Sequence, residues 1–203
     1  MFLDKKQRIL LENEILLDLW QQSKAGDSVA FCHLADKLYR TLFNYATSFT
    51  SDREYIKDAI QELLIHIWEK RQTINIQFVT IYFLKSLRNQ LLQEFRRNKR
   101  PFLGIDEIEE ITDNQTIETE IEESEAYSES QRRVKNAINE LPKRQKEAIF
   151  LKFYEGLENE QIADLMQVNR QSVANLLFKA ISTLKSQIPF ISHWILILYT
   201  LIY

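Results

Sequence analysis

The chain is predicted to be all-α, with two small helical domains joined by an acidic, flexible linker. Three observations carry that prediction. Only three glycines and three prolines occur in 203 residues, so few positions break a helix, while a 45 % hydrophobic content supplies one large or two small cores. Apolar residues recur at three- and four-residue steps over long stretches, the period of a helix with one buried face. Charge is also segregated: residues 1–101 hold 16 Lys and Arg against 12 Asp and Glu, residues 102–130 hold none against 11, and residues 131–203 hold 10 against 6. The net charge of −3 is therefore made of two lobes of +4 around a linker of −11. Both lobes can face a polyanion and the middle cannot, so the overall acidity does not exclude a nucleic-acid partner.

In the first domain, residues 1–101, Ile9, Ile15, Leu16, Leu19 and Trp20 mark a first amphipathic helix that ends at Gly26-Asp27. Asp27 is a suitable N-cap for a second helix whose inner stripe is Phe31, Leu34, Leu38, Leu42 and Tyr45. Cys32 lies within that apolar pattern and is expected to be a buried structural thiol; as the single cysteine it has no internal disulfide partner. A third helix is expected from about Ser51 to Arg71, with Ala59, Ile60, Leu63, Leu64, Ile67 and Trp68 inward and Asp58, Gln61, Glu62 and Glu69 outward. A fourth begins near Phe78 and runs to the basic cluster Arg96, Arg97, Lys99 and Arg100, stopped by Pro101. Phe78, Tyr82, Phe83 and Phe95 interleave there with Lys85, Arg88 and Asn89, a mixture of aromatic faces and cations that suits unpaired nucleic acid, although part of this aromatic set also fits a core.

The second domain, residues 131–187, is the more informative. Ile149, Phe150 and Phe153 define the buried face of one helix, Gly156 interrupts it, and Glu158 opens a shorter helix through Met166, with Ile162, Ala163 and Leu165 inside. After the turn Gln167-Val168-Asn169, Asn169 can cap a third helix from about Arg170 to Lys185. Val173, Leu176, Leu177, Ala180 and Leu184 form its inner stripe, which leaves Arg170, Gln171, Ala174, Asn175 and Lys179 outward. Two helices joined by a tight turn, the second with a polar outer face, are a helix-turn-helix: Arg170, Gln171 and Asn175 can bond base edges, and Lys179 suits a phosphate.

Other chemistries find less support. Asp58, Glu62 and His66 recur every four residues on one helix face, but no second ligand-bearing helix, glycine-rich phosphate loop or nucleophile elbow accompanies them. No catalytic residue, metal site, cofactor or small-molecule substrate is assigned. The amino terminus lacks an apolar signal core, which points to a cytoplasmic protein. Residues 188–203, IPFISHWILILYTLIY, carry no formal charge but fall short of the roughly 20 residues of a spanning helix. This tail is expected to pack on the second domain or on an apolar partner, with contact to a membrane surface as the other reading.

The order GDSVAFCHLADKLYRTLFNYA, DAIQELLIHIWEKR, FVTIYFLKSLRNQLLQEFRRNKR, an acidic linker and LPKRQKEAIFLKFYEGLENEQIADLMQVNRQSVANLLFKAISTLK resembles an extracytoplasmic-function RNA polymerase sigma factor from about Trp20 to Lys185. A lone helix-turn-helix is shared by many regulators; the spacing of Asp58, Gln61-Glu62 and Trp68 is more specific. The resemblance implies a protein that binds core RNA polymerase and directs promoter-specific initiation by recognising −10 and −35 elements. It places Asp58, Gln61 and Glu62, backed by Trp68, against the polymerase clamp, Tyr82, Lys85, Arg88, Asn89, Arg96 and Arg97 at the −10 element, and Arg170, Gln171 and Asn175 at −35 bases with Lys143, Arg144 and Lys179 on phosphates. It also implies an anti-sigma factor as partner, with any membrane contact made through a membrane-anchored partner of that kind. The 29-residue linker of residues 102–130 can reach about 100 Å extended and about 30 Å as a coil, enough to set two readers on separate elements. Tyr82 stands where the family usually has tryptophan, and Ala174 where it often has lysine or arginine. The competing reading, a stand-alone helix-turn-helix regulator of duplex operator DNA, uses the second domain and leaves the Asp58 to Arg97 constellation without a role.

Overall fold

The computed structural model describes residues 5–97, 134 and 136–187, and all its regular elements there are helical. The chain divides into two compact units, Met1–Asp113 and Asn114–Tyr203. The segment assigned to the linker from sequence, residues 102–130, and the apolar tail 188–203 lie outside the described residues, as do Lys99, Arg100 and Pro101.

The first unit contains α1 (Lys5–Lys24), α2 (Ser28–Ala46), α3 (Arg53–Lys70) and α4 (Val79–Arg97). The chain leaves α1 through Gly26, whose φ of +104° is costly for any residue with a Cβ. Asp27 then caps α2, its carboxylate accepting from the amides of Val29 at 2.9 Å and Ala30 at 3.0 Å. Asp52 does the same for α3 through Tyr55 N at 3.0 Å. The expected stripe of α2 is buried throughout, from Phe31 to Tyr45. Helix α1 packs on α2 and α4, α3 packs on the same two, and α2 and α4 meet between them. Leu16, Trp20, Leu34, Leu42, Ile60, Leu63, Phe83, Leu87 and Leu91 fill the centre.

Some side chains of the first unit lie closer to solvent than their periodicity predicts. Cys32 is exposed, because the stripe of α2 runs through Phe31 and Leu34 and position 32 is turned about 100° away. Ile15 is exposed as well: Leu16 and Trp20, four residues apart, own the inner face of α1. Leu64 and Trp68 lie at the margin of the core of the first unit, not within it.

In the second unit α5 (Lys143–Ile149) runs into a π-helical turn, Phe150–Tyr154, and is followed by α6 (Asn159–Met166) and α7 (Arg170–Gln187). The wider turn, with Glu155 N donating to Phe150 O at 3.2 Å, rotates the side chains that follow. It explains why Leu151 is buried together with Ile149, whereas Phe150 and Phe153, expected inside, are half-buried. Glu158 and Gln161 form a capping box at the start of α6, the Glu158 amide donating to Gln161 Oε1 at 2.8 Å. Gln167 ends α6 in the left-handed region with φ 56°, and Asn169 Oδ1 accepts from Ser172 N at 2.7 Å to cap α7. Both α5 and α6 pack on α7. Its inner stripe is Val173, Leu177, Ala180 and Ile181; Leu176 and Leu184 are half-buried, so the stripe is rotated slightly from the expected one.

The turn yields a paired stability prediction. Asn169→Ala removes a cap and is expected to destabilise the second unit by about 1 kcal/mol. Gln167→Gly relieves a left-handed side chain and is expected to stabilise it by about 0.5–1 kcal/mol. Native-state hydrogen exchange at the α6 and α7 amides measures both.

Candidate nucleic-acid and polymerase interfaces

Helix α7 presents its outer face because its inner stripe is consumed by packing. Arg170, Gln171, Asn175 and Lys179 are exposed there. Gln171 Nε2 donates to Asn175 Oδ1 at 3.2 Å, a one-turn pair that aligns two amides along the helix. Together they present an acceptor, Gln171 Oε1, beside a donor, Asn175 Nδ2, the complement of the N6 and N7 edge of adenine. Arg170 Nη1 lies 2.9 Å from Glu160 on α6, with both side chains well exposed. Such a surface pair contributes below about 1 kcal/mol, so a base edge worth about 1–3 kcal/mol can take its place. Ala174 is half-buried beside this face and offers no hydrogen bond.

Phe178 belongs to the same face and was not singled out from sequence. It is 61 % exposed, three residues beyond Asn175 and seven beyond Gln171. An exposed phenyl on such a helix fits the methyl of a thymine. Its signal was present, since an apolar residue just off the buried stripe has no packing reason to be there.

Arg144 is exposed on α5, whereas Lys143 is half-buried. Burial pushes the Lys143 ammonium below its ordinary 10.5. Lys146 is lowered by burial first and by the neighbouring Lys143 charge second. The unfolded chain binds these protons more tightly, so each lysine costs stability at neutral pH, and that cost disappears as pH rises through the lowered values toward 10.5.

In the first unit, Asp58, Gln61 and Glu62 form an exposed patch on α3 that continues onto Ile65, itself 51 % exposed and not anticipated. Gln90 of α4 donates to Glu62 Oε2 at 3.1 Å and to the Ala59 carbonyl at 3.2 Å, fixing this patch to α4. Trp68 lies two turns along, its ring 5.1 Å from Phe31 and covered by the Arg71 guanidinium at 3.9 Å. Trp68 thus joins α3 to α2 beyond the end of the patch. Among the described residues no group of three or more His, Cys, Asp or Glu is arranged to hold a metal ion.

Along α4, Asn89, Arg96 and Arg97 are exposed, and Tyr82 and Lys85 are half-buried. Arg88 departs from the expectation of a surface cation: it is 5 % exposed and sits on the inner face with Leu84, Leu87 and Leu91, three residues of the helical stripe around it. Of the aromatics, Phe83 and Phe95 are core, while Phe78 and Tyr82 keep exposed surface.

Lys146→Met is expected to raise the stability of the second unit at pH 7 and to flatten its rise with pH below 10.5, in denaturant titrations repeated from pH 7 to 10.

Residues 34–101 match the model of Sigma-70 region 2, and residues 131–184 match that of Sigma-70, region 4. The chain is 23 % identical over 175 residues to the ECF RNA polymerase sigma factor BldN of Streptomyces coelicolor, covering 86 % of this chain and 66 % of that protein. It is 25 % identical over 150 residues to the RNA polymerase sigma factor SigV of Bacillus subtilis, covering 74 % and 83 %. In fold it is similar to the sigma factor RpoE of Bartonella quintana in its co-crystal with the anti-sigma factor NepR, with a TM-score of 0.57, 20 % identity and coverage of 78 % of this chain and 96 % of that one. Among the described residues no helix is long and apolar enough to cross a membrane. With both sigma-70 regions present, in that order and together spanning more than half of the sequence, this chain belongs to the sigma-70 family, in its extracytoplasmic-function group.

Proposed function

We propose that the protein is a sigma factor that binds core RNA polymerase and directs initiation at promoters read through a −10 and a −35 element. The observation that carries this reading is the pairing of the two sigma-70 regions in one chain. A stand-alone operator-binding regulator needs the second unit and leaves the first without a task.

The exposure of these residues supports a division of labour between the surfaces. Asp58, Gln61 and Glu62, with Ile65 beside them and Trp68 beyond, form the polymerase-binding face. On α4, Tyr82, Lys85 and Asn89 meet the −10 element and Arg96 and Arg97 its phosphates, while Arg88 supports them from beneath. At the −35 element α7 enters the major groove with Arg170, Gln171 and Asn175 at bases, and Lys143, Arg144 and Lys179 reach phosphates. The domains assigned are 1–101 for polymerase and −10 contacts, 102–130 as a tether and 131–187 for −35 contacts. Residues 188–203 are an apolar appendage. Factors of this family initiate transcription and are not catalysts themselves. We place the protein in the cytoplasm, with an anti-sigma factor as partner, as NepR is for the Bartonella protein.

Run-off transcription with sigma-free core polymerase on a fragmented genomic library tests the reading. Discrete new start sites sharing two upstream elements are expected; specific duplex binding without polymerase and without new starts would favour the operator-binding regulator. Asp58→Ala combined with Glu62→Ala is expected to weaken core-polymerase binding while the second unit stays folded, and unchanged affinity would remove that face from the interface. Arg170→Ala is expected to cost about 1–3 kcal/mol of discrimination at a single −35 position. A uniform loss across all sequences would reassign Arg170 to a phosphate.

A further inference from the structure

Helix α4 begins at Val79, directly after Phe78, whose hydrocarbon side chain has no acceptor for an N-terminal amide. The acceptor comes from α1. Asn13 Oδ1 accepts from Val79 N at 3.0 Å, and Asn13 Nδ2 donates to the carbonyl of Gln77 at 3.0 Å. One side chain, 66 residues away in sequence, therefore pins both sides of the residue that precedes the helix. The same connection is held to α1 at its other end. Lys24 Nζ donates to Ile74 O at 3.0 Å, and Gln72 Nε2 donates to Lys24 O at 2.5 Å.

This latch sits directly below the α4 residues that face outward. Tyr82 N donates to Phe78 O at 3.0 Å, so the residue clamped by Asn13 closes the turn that carries Tyr82. Phe78 is 38 % exposed and Tyr82 half-buried, which gives the first turn of α4 two accessible rings on the side where Lys85 and Asn89 follow. Fraying of this turn moves both rings relative to Asn89. Asparagine fits the task because it alone among the common cap residues, with its amide relative glutamine, offers a fixed donor and a fixed acceptor on one planar group.

We propose that Asn13 is a positioning residue for −10 recognition, acting through the first turn of α4 and not through contact with DNA. The inference rests on the proposed sigma-factor function, and its test separates the two. The readout is the ratio of initiation by full-length protein with core polymerase on an intact promoter and on the same promoter with a scrambled −10 element. A smaller folded fraction lowers both rates alike and leaves the ratio unchanged, so general destabilisation does not imitate the effect. Loss of a cap and of a second hydrogen bond is expected to reduce the ratio about tenfold in Asn13→Ala. Asn13→Asp, which keeps the acceptor for Val79 N and loses the donor to Gln77, is expected to retain part of it. Asp27→Ala, which removes a cap of similar value from α2, is expected to leave the ratio as in the wild type. Hydrogen exchange of the free protein supplies a readout without polymerase: amides 79–82 are expected to exchange faster in Asn13→Ala and not in Asp27→Ala. A wild-type ratio or unchanged exchange at 79–82 in Asn13→Ala would overturn the inference. Absence of any start with the wild-type protein would instead overturn the sigma-factor reading on which it stands.

Discussion

Trp20 is the group on which the first unit is assembled. It is fully buried, its ring meets Phe83 of α4 edge-on at 6.5 Å, and it lies on the face of α1 turned to both α2 and α4. Burying an indole removes roughly 150–250 Å² from water, about 4–6 kcal/mol at ~25 cal/mol per Å². Among the described residues its Nε1 has no hydrogen-bond partner, a cost of about 1–3 kcal/mol. Burial wins, but the margin depends on close packing all round the ring. That requirement ties α1 to α4, and with it the outer face of α4, because α4 turns its leucines and Phe83 inward to meet α1, α2 and α3.

Crowding cations on a partly buried surface has a stability cost in the second unit, where Lys143 and Lys146 are partly stripped of water close to each other. The fold is secured elsewhere, by side-chain caps at Asp27, Asp52, Glu158 and Asn169 on α2, α3, α6 and α7 and by continuous inner stripes. Surface pairs add little, since Arg170 with Glu160 and Lys57 with Glu54 are exposed. Packing and caps therefore hold the fold, which leaves the charged surfaces free to be arranged for binding.

That separation explains how far the sequence could be read. The stripe of α2, the caps at Asp27 and Asn169 and the interruption at Gly156 are local or periodic, and short-range rules capture them. Cys32 and Ile15 are apolar residues that lie off the buried stripes beside them, and periodicity gives the direction of a side chain but not the depth of the material above it, as Leu64 and Trp68 at the margin of the core show. The π-helical turn at Phe150–Tyr154 changes the period itself and displaced the expected face there. Arg88 was assigned to the surface by residue type, and only its position among Leu84, Leu87 and Leu91 shows it to be internal. Asn13 was invisible for a different reason: a cap supplied from 66 residues away leaves no pattern next to Val79.

The energetic scale of the two reading faces bears on why they occur in one chain. On α7 the groups proposed to meet bases, with the phenyl of Phe178 beside them, are one guanidinium already paired with Glu160 and two amides bonded to each other. A bidentate contact to a base edge is worth of order 1–3 kcal/mol, less what the existing partner contributes. A handful of such gains has to offset the loss of translational and rotational freedom on association, which is of order 4–15 kcal/mol. A second unit on the same chain changes the terms, because once one unit is anchored the other binds at an effective concentration set by the tether between them. Weak, exchangeable contacts on α7 then suffice for selection among sequences without holding the protein on DNA by themselves. Tight independent binding by the second unit would work against that arrangement, since it would keep the protein on sites where the first unit has nothing to engage.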